Sequence, residues 1–460
     1  MKIEKITITK LFGEYDYEIP LENNKLILVA ENGSGKTTIV NLIYFFLSRQ
    51  WTKLLRYNFG SIGAIVNEKE FSITKQDIDI LNSSKFQRYL KRYPSNIKDK
   101  IYELLISADP FEIIKNPFKF EYTADRLNIP SHLIFELSNM INSEQLTLFN
   151  EIIPSKGKSL ENLIDSQILY LPTYRRIEQD LKNIFPDMES DIDKFRKRKR
   201  HREPNDSSYV ELVEFGMEDV EDKINRRLYE IKEDLGNKIK NNLTGGYLRD
   251  VINKTYQNIS YEQVQTFNET ALSSILSRID ESVLSKQEKN RLLHFVNEVN
   301  NKGAIDREEN KIVAYFIYRL SAIYKELMDE EKDIQRFVSI CNEFSANKKF
   351  VYDNINFKIT VHPYIKSRIR KKETIELKDL SSGEKQIVSL FSHIYLSREK
   401  KFFIIIDEPE LSLSVPWQQR FLLDISSNEY CDGILAVTHS PFIFENEMEV
   451  YAAALNSFIK

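Results

Sequence analysis

Short apolar runs and alternating polar and apolar positions open the chain and predict a series of strands. Residues 2–9 and 15–19 alternate in this way, and residues 64–73 have the pattern of a hairpin around a polar turn. Residues 25–29 form a continuous apolar run, which is typical of a buried strand. The apolar stretch 39–47 has the length and composition of a buried helix. The chain therefore begins as an α/β protein.

Helical periodicity dominates the middle of the chain. Residues 77–165 are mostly helical in pattern, and residues 168–172 form another apolar strand. Apolar positions recur every three or four residues over 220–243 and over 307–344, which predicts two long helices. These helices are too short and irregular for a long coiled-coil arm, so we expect a compact helical insertion.

Strands return after this helical part, so the pattern predicts a fold that the insertion divides. Gly245-Gly246 is expected to stop the first long helix, because glycine disfavours helix continuation. The later strands are predicted at 350–352, 356–361 and 374–377. The predicted organisation is an N-terminal lobe, a charged segment with the helical insertion, and a C-terminal lobe, at 1–185, 186–345 and 346–460.

Composition describes a soluble protein of the cytoplasm. Of 460 residues, 42% are hydrophobic and 29% are charged, as in core-forming chains. The net charge of −4 gives no overall attraction to nucleic acid. Cys341 and Cys431 are too few for a disulfide framework or a zinc site, which favours a reducing compartment. The N-terminus lacks a signal-peptide core, and no apolar run is long enough to span a membrane.

One segment is strongly basic. Residues 194–202 carry seven formal positive charges in nine positions, directly after alternating acidic residues over 187–193. Such a segment could neutralise several phosphates of a nucleic acid. It could equally be a solvated loop that the preceding carboxylates partly neutralise. The sequence leaves both interpretations open.

Residues 30–38, Ala-Glu-Asn-Gly-Ser-Gly-Lys-Thr-Thr, match the phosphate-binding pattern G-x-x-x-x-G-K-[ST] except at Ala30. The loop lies between a predicted strand and a predicted helix, which is the context that the motif requires. Its glycines allow backbone N–H groups to turn toward a phosphate, Lys36 would reach the terminal phosphates, and Thr37 would ligate Mg²⁺. The predicted ATP-binding residues of this loop are Asn32, Gly33, Ser34, Gly35, Lys36, Thr37 and Thr38.

Three further segments carry candidate chemistry. Residues 402–406 predict a buried strand that delivers Asp407 and Glu408 to its carboxyl end, where Asp407 suits Mg²⁺ and Glu408 suits the polarisation of a water molecule. Small residues at 381–384 begin a helix whose N-terminus could receive an anion or could be a simple cap. His439 ends a second apolar strand.

Together and in this order, these segments resemble the ABC-type ATPase superfamily, in its SMC-like, RecF-like and OLD-like branch. The resemblance implies an ABC-type P-loop head, a mixed sheet flanked by helices, with a helical insertion. It implies ATP and Mg²⁺ as cofactors, with Thr37 and Asp407 at the metal, and Glu408, His439 and Lys36 as catalytic residues. It also assigns ATP contacts to the signature residues Ser381, Ser382, Gly383 and Glu384.

Three positions depart from the family pattern, besides Ala30. Ser382 stands at a glycine position of the signature, and Ser414 stands at an aspartate position after Glu408. Thr173 stands where a glutamine is usual, which leaves that role in doubt.

The resemblance also implies partners. The signature of one copy would cover the nucleotide of another, so a homodimer or a higher homo-oligomer is expected. Residues 168–178, 380–390 and 407–418 resemble the OLD-like ATPases of anti-phage defence, in systems such as PARIS and Septu. There the ATPase controls a separate Toprim or HNH nuclease and responds to a phage protein. Only about twenty residues follow His439, so no nuclease domain is expected within this chain.

Two alternatives stay open. A DNA-repair ATPase of the RecF or Rad50 type would need a basic DNA-binding face, for which residues 194–202 are the candidate. The nucleotide-binding subunit of a transporter fits less well, because of the helical insertion and Ser414.

Overall fold

A computed structural model of the chain describes residues 1–31, 33–78, 92–93, 97–98, 132–136, 163–172, 209–212, 217–260, 269–302, 308–397 and 400–460. Several predictions concern residues outside this part: Asn32, Thr173, the basic segment 194–202 and most of the helical stretch 77–165.

The strands of the described part agree closely with the apolar runs of the sequence. In chain order they are β1 (Ile3–Leu11), β2 (Tyr15–Pro20), β3 (Lys25–Val29), β4 (Ser61–Val66), β5 (Lys69–Thr74), β6 (Gln167–Leu171), β7 (Tyr209–Glu211), β8 (Lys348–Asp353), β9 (Lys358–Ile365), β10 (Arg368–Ile369), β11 (Phe402–Asp407), β12 (Cys431–Thr438) and β13 (Ala452–Ala454).

The helices follow the predicted periodicity. They are α1 (Lys36–Leu47), α2 (Trp51–Leu54), α3 (Lys75–Ile78), α4 (Glu218–Ile239), α5 (Tyr247–Ile252), α6 (Glu269–Arg278), α7 (Lys286–Lys302), α8 (Glu308–Glu343), α9 (Ser382–Leu396) and α10 (Val415–Ser426). None of the helices within the described ranges combines the length and apolar content that a membrane span needs.

The chain forms two compact units. The first comprises Met1–Phe215 with Glu399–Lys460, and the second comprises Gly216–Arg398. The predicted division at residues 185 and 345 stays a prediction about organisation. The second unit contains the helices α4 to α8 together with β8 to β10 and α9.

A six-stranded sheet forms the centre of the first unit, in the order β13-β3-β12-β11-β6-β7. All of its strand pairs are parallel. β11 reads Phe-Phe-Ile-Ile-Ile-Asp and is buried at every position, as a strand covered on both faces must be. β3, β12 and β11 are neighbours, so the segments that follow them emerge at one edge. A glycine loop between β3 and α1 gives this α/β architecture the layout of a P-loop fold, and the predicted fold class is confirmed.

α1 is fixed to this sheet by aromatic packing and a hydrogen bond. The ring of Tyr44 stacks on Tyr170 of β6 with centroids 4.3 Å apart, and the Tyr170 hydroxyl donates to Asn41 Oδ1 at 2.7 Å. A separate antiparallel sheet, in the order β2-β1-β4-β5, contributes its apolar face to the same core. Alternate residues of β1, Ile6 and Ile8, are fully buried there. This packing holds the start of α1 in place.

A buried ion pair ties the second unit together. The Arg278 guanidinium of α6 makes two hydrogen bonds to the Glu331 carboxylate of α8, at 3.0 and 3.1 Å. The Tyr352 hydroxyl of β8 donates to the same carboxylate at 2.6 Å. Neither charged side chain is exposed. Burial of Glu331 raises the pKa of its carboxyl, and the bonds from Tyr352 and Arg278 counteract that shift. The Glu331 carboxylate therefore links α6, α8 and β8 through its contacts with Arg278 and Tyr352.

Two expectations about this unit are wrong. Gly245-Gly246 does not stop the helical path: a π-helical segment, Lys240–Gly246, runs directly into α5. Gly246 adopts helical φ and ψ of −68° and −49°, and the modest cost of a helical glycine is offset by Tyr247, which stacks on Tyr315. Residues 374–377 form no strand, because only Ile375 bridges to β9 before the chain turns.

Gly433 of β12 provides a test of the sheet packing. A Cβ at this position would lie 2.6 Å from the Asn24 carbonyl oxygen and 2.6 Å from Phe403 Cδ2. Gly433→Ala should therefore destabilise the protein by about 1–3 kcal/mol, measured by urea unfolding. Gly236→Ala on α4 is the matched control, since a Cβ there meets nothing within 4 Å, and it should stabilise by about 0.5–1 kcal/mol. Equal effects of the two substitutions would contradict the packing described here.

Candidate functional site

The glycine loop between β3 and α1 has the backbone geometry that the sequence predicts. Gly33 and Gly35 have φ of 82° and 83°, in the left-handed region that favours glycine. A Cβ on Gly35 would also lie 3.1 Å from Phe12 Cε2. Phe12, in the turn after β1, therefore packs against the loop, and the sequence alone gave no sign of this contact. Both glycines are required by the loop conformation.

Lys36 is the buried cation of the site. Its side chain begins α1, the residue is 6% exposed, and Nζ donates to the carbonyl oxygens of Ala30 and Glu31, each at 2.7 Å. Nζ also lies 3.4 Å from His439 Nδ1. Because the contact at residue 30 uses a backbone carbonyl, alanine provides it as well as glycine would.

Two carboxylates face this lysine from the end of β11. Asp407 is 1% exposed and pairs in register with Val437 of β12. Glu408 follows it with φ of 52°, and its N–H donates to the Val437 carbonyl at 2.8 Å. A left-handed glutamate is strained, and such strain concentrates at functional sites. The turn directs consecutive carboxylates away from the strand.

The local charge is negative. Burial raises the pKa of the Glu408 carboxyl, and the carboxylates of Asp407 and Glu410 raise it further, while His439 and Lys36 oppose them. Burial lowers the pKa of the Lys36 ammonium, against the attraction of the same three carboxylates. Three carboxylates around one ammonium form an environment that suits a divalent cation.

The residues at hand fit Mg²⁺ but not an all-protein metal cage. Among the described residues, no group of three or more His, Cys, Asp or Glu side chains is placed to hold a metal. Mg²⁺ in nucleotide sites needs only one or two protein ligands, because phosphates and water complete its shell. The carboxylate of Asp407 and the hydroxyl of the exposed Thr37 are oxygen donors of the kind that Mg²⁺ requires.

His439 follows β12 and is held by a residue to which the sequence analysis gave no role. The backbone N–H of His439 donates to Glu410 Oε1 at 2.9 Å, and the Thr438 hydroxyl donates to Glu410 Oε2 at 2.7 Å. Glu410 lies two residues after Glu408. The sequence therefore shows a third carboxylate close to Asp407 and Glu408, and this spacing could have indicated a role for it. The structure thus brings Lys36, Asp407, Glu408 and His439 to one edge of the sheet, and their catalytic and metal-binding roles stay predictions.

The signature residues belong to the second unit. Ser381 caps α9: its Oγ accepts the Glu384 N–H at 3.3 Å, while Glu384 Oε2 accepts the Ser381 N–H at 2.8 Å. Lys348 Nζ of β8 lies 2.7 Å from the same Glu384 oxygen. Glu384 is buried and fixes the helix start, while Ser381 and Ser382 are exposed. Contact of these residues with ATP stays a prediction.

Comparison with known proteins finds one matching family model. A family model described as an AAA ATPase domain (AAA_15) matches residues 1–444. No curated protein matches the chain.

Two solved structures match the chain at low identity. One is the Smc head domain with an extended coiled coil bound to the C-terminal domain of ScpA, from Pyrococcus furiosus, at 13% identity, covering 96% of this chain and 90% of that chain, with a TM-score of 0.32. The other is the Smc head domain with a coiled coil and joint, from Pyrococcus yayanosii, at 15% identity, covering 96% of this chain and 93% of that chain, with a TM-score of 0.30.

The carboxylate cluster predicts a stability effect at Glu408. Its raised pKa means that the folded state disfavours the charged carboxylate, a cost that is present above the folded pKa and vanishes below the unfolded pKa. Glu408→Gln should therefore raise the melting temperature at pH 7 by about 1–3 °C, and the gain should shrink as the pH falls toward 4.5. Differential scanning calorimetry measures both.

Glu447→Gln serves as the control for that experiment. Glu447 is exposed, so the same loss of charge there should leave the melting temperature within about 0.5 °C of the native protein. A Glu408→Gln protein that is no more stable than the native protein at pH 7 would contradict the cost of burying the Glu408 charge beside the other carboxylates.

Proposed function

Because this chain belongs to the AAA ATPase domain family, we propose that it binds ATP with Mg²⁺ and hydrolyses the terminal phosphate bond at the carboxyl edge of the parallel sheet. The observation that carries the proposal is the meeting of Lys36, Glu408 and His439 at that edge, with Lys36 Nζ 3.4 Å from the imidazole. Three chain segments far apart in sequence supply these groups.

Each residue has a role that follows from its chemistry. The backbone N–H groups of the glycine loop and the start of α1 would bind phosphate oxygens, and Lys36 would exchange the carbonyls of Ala30 and Glu31 for the terminal phosphates. Thr37 and Asp407 would hold Mg²⁺, which neutralises phosphate charge. Glu408, whose pKa is raised, would orient the attacking water and accept its proton. His439 would contact the terminal phosphate.

We further propose that ATP is bound between two copies of the chain. The sequence has one phosphate-binding loop and one signature, so a second copy is the source of the covering signature. Three exposed apolar side chains support a covered surface here: Leu411 is 39%, Val415 is 42% and Phe442 is 39% exposed. They lie in the segments that follow Glu408 and His439, next to the nucleotide site.

A mixing experiment tests the shared site. Lys36→Ala destroys the loop and Ser382→Arg blocks the signature, so each variant alone should be inactive. In an equal mixture, half of the dimers carry one intact loop opposite one intact signature. The mixture should then recover about a quarter of the native ATPase rate, measured by phosphate release. A mixture as inactive as its components would contradict a site built from two copies.

The finer proposal is a switch in bacterial anti-phage defence, similar to AriA of the PARIS system or PtuA of Septu. It is supported by the motif resemblance of residues 168–178, 380–390 and 407–418. The ATP-bound oligomer would hold a separate Toprim or HNH nuclease and release or activate it when a phage protein is sensed. Light-scattering mass with and without ATP, followed by purification of the protein with its operon neighbours, tests this. An ATP-stabilised oligomer that retains a nuclease supports it, and an assembly that ignores ATP and retains none contradicts it.

A second candidate function, a DNA-repair ATPase of the RecF or Rad50 type, is favoured by one structural feature. The turn after β9, the strand β10 and the segment after it expose five basic side chains: Lys366, Arg368, Arg370, Lys371 and Lys372. Across the residues that the structure describes, only Arg370 of these five has an ion pair, with Glu373 at 3.4 Å. Concentrated, unneutralised charge of this kind suits a phosphate backbone. In the sequence these cations are less conspicuous than the basic segment 194–202.

Duplex DNA binding discriminates the two functions. In fluorescence anisotropy, Lys371→Glu/Lys372→Glu should weaken binding at least tenfold and reduce the slope of log affinity against log salt by about 2. Lys325→Glu/Lys332→Glu on α8 is the matched control, because it makes the same charge change at exposed positions of the same unit. Equal losses in both variants, or no binding by the native protein, would exclude this surface as a DNA site.

A further inference from the structure

Glu410 joins the two chain segments that carry Glu408 and His439. Its two carboxylate oxygens accept different donors from one neighbouring segment: the His439 N–H at 2.9 Å and the Thr438 hydroxyl at 2.7 Å. Thr438 is 0% exposed whereas Glu410 is half-buried, so the contact is only partly shielded from water. A hydrogen bond to a charged acceptor is about twice as strong as a neutral one. These two hydrogen bonds therefore hold Glu410 strongly to residues 438 and 439.

Gln418 of α10 makes a second bridge between the same segments. Its Nε2 donates to the Leu413 carbonyl at 2.9 Å, and its Oε1 accepts the Ser440 hydroxyl at 2.7 Å. The Ser440 N–H in turn donates to Thr438 Oγ1 at 2.9 Å. Residues 438–440 are thus held at consecutive positions by the loop 408–414 and by the helix that follows it.

The position of the His439 ring depends on these bridges. Its Nδ1 lies 3.4 Å from Lys36 Nζ, at the outer limit of a hydrogen bond, so a shift of about 1 Å would separate the two groups. We propose that Glu410 is a positioning residue, which holds His439 beside Lys36 and makes its placement depend on the conformation of the loop 408–414. The proposal deepens the ATPase function above and rests on it for the role of His439.

The chemistry of the bridge requires a glutamate. Two donors are accepted at once, which a carboxylate can do with both oxygens, whereas an amide has only one acceptor oxygen. Aspartate keeps the charge but is one methylene shorter, by about 1.5 Å, and cannot reach both donors from the same backbone position. Glutamine and aspartate at position 410 therefore impair the bridge for different reasons.

The loop 408–414, which carries Glu410, has features that suit contact with a second copy of the chain. Two of its non-glycine residues, Glu408 and Ser412, have left-handed φ of 52° and 63°. Between them Leu411 is 39% exposed, which leaves it available for contact with a second copy. Strained backbone of this kind clusters at ligand clamps and switch regions. A second copy that covers Leu411 would act on this loop, and Glu410 would pass any movement of the loop to His439.

Glu410 also acts through its charge, and the test must separate the two effects. Its carboxylate raises the pKa of both Glu408 and Lys36. Thr438→Val removes one end of the Glu410 bridge, together with the acceptor of the Ser440 N–H, with no change of charge and almost none of shape. Thr438→Ser keeps the hydroxyl and should restore whatever the bridge provides.

ATP turnover and nucleotide affinity are measured for Glu410→Gln, Thr438→Val, Thr438→Ser and His439→Gln. A positioning role predicts that Glu410→Gln and Thr438→Val lower kcat about 10- to 100-fold and change ATP affinity less than about threefold. Thr438→Ser should stay near the native rate. The double variant Glu410→Gln/His439→Gln should be no slower than His439→Gln alone, because both act through one group.

Additive losses in that double variant would overturn the proposal, since Glu410 would then act independently of His439. A native rate in Thr438→Val would overturn it as well. Glu447→Gln controls for a general loss of negative charge.

A second readout does not depend on catalysis. In nucleotide-free protein with ¹³C-labelled histidine, the ring signal assigned through His439→Gln should move in Glu410→Gln and Thr438→Val, while the other histidine signals stay in place. An unmoved signal refutes the positioning role even if the ATPase proposal holds. An inactive native protein whose His439 signal still moves would refute the ATPase proposal and leave the bridge intact.

Discussion

The parallel order β3-β12-β11 is the constraint from which the site follows. Parallel strands end at the same edge, so the glycine loop meets Glu408 and His439, although both lie hundreds of residues after it in the chain. Register makes the meeting specific: Thr438 pairs with Val29, and Asp407 pairs with Val437. A slip of one residue would turn each of these side chains to the opposite face. The apolar packing of β11 on both faces therefore determines where the charges lie.

Those charges give the edge its chemical character. Lys36 is held by backbone carbonyls in a place where three carboxylates surround it. The arrangement costs stability, because burial and mutual repulsion disfavour the ionised Glu408. Strained backbone at Glu408 adds to this cost. A divalent cation bound together with a nucleotide would offset the repulsion, so the cluster fits the nucleotide site proposed above.

Much of this could be predicted from the sequence, because the determining signals are local. Continuous apolar runs identified β3, β11 and β12, and a motif with glycines at fixed spacing identified the loop before α1. The failures concern contacts between distant segments. Gly245-Gly246 has the composition of a helix end, but stacking of Tyr247 on Tyr315 carries the helical path through it. Glu410 gave no periodic signal, because its role depends on the neighbouring strand β12.

The packing of Phe12 against Gly35 shows the same limit, since an exposed aromatic in a turn has no sequence signature. The basic side chains at 366–372 form a shorter run in the sequence than those at 194–202. They become a single surface only when β9 and β10 pair.

Equilibrium binding of Mg-ATP by calorimetry, in the native protein and in Lys36→Ala, tests the central claim most directly. Losing a charge-assisted contact to phosphate should weaken binding about 100-fold, or about 2.7 kcal/mol, whereas Lys69→Ala, an exposed lysine on β5, should bind like the native protein. That result would establish the carboxyl edge of the sheet as the nucleotide site. Equal affinity in the native protein and Lys36→Ala would contradict it.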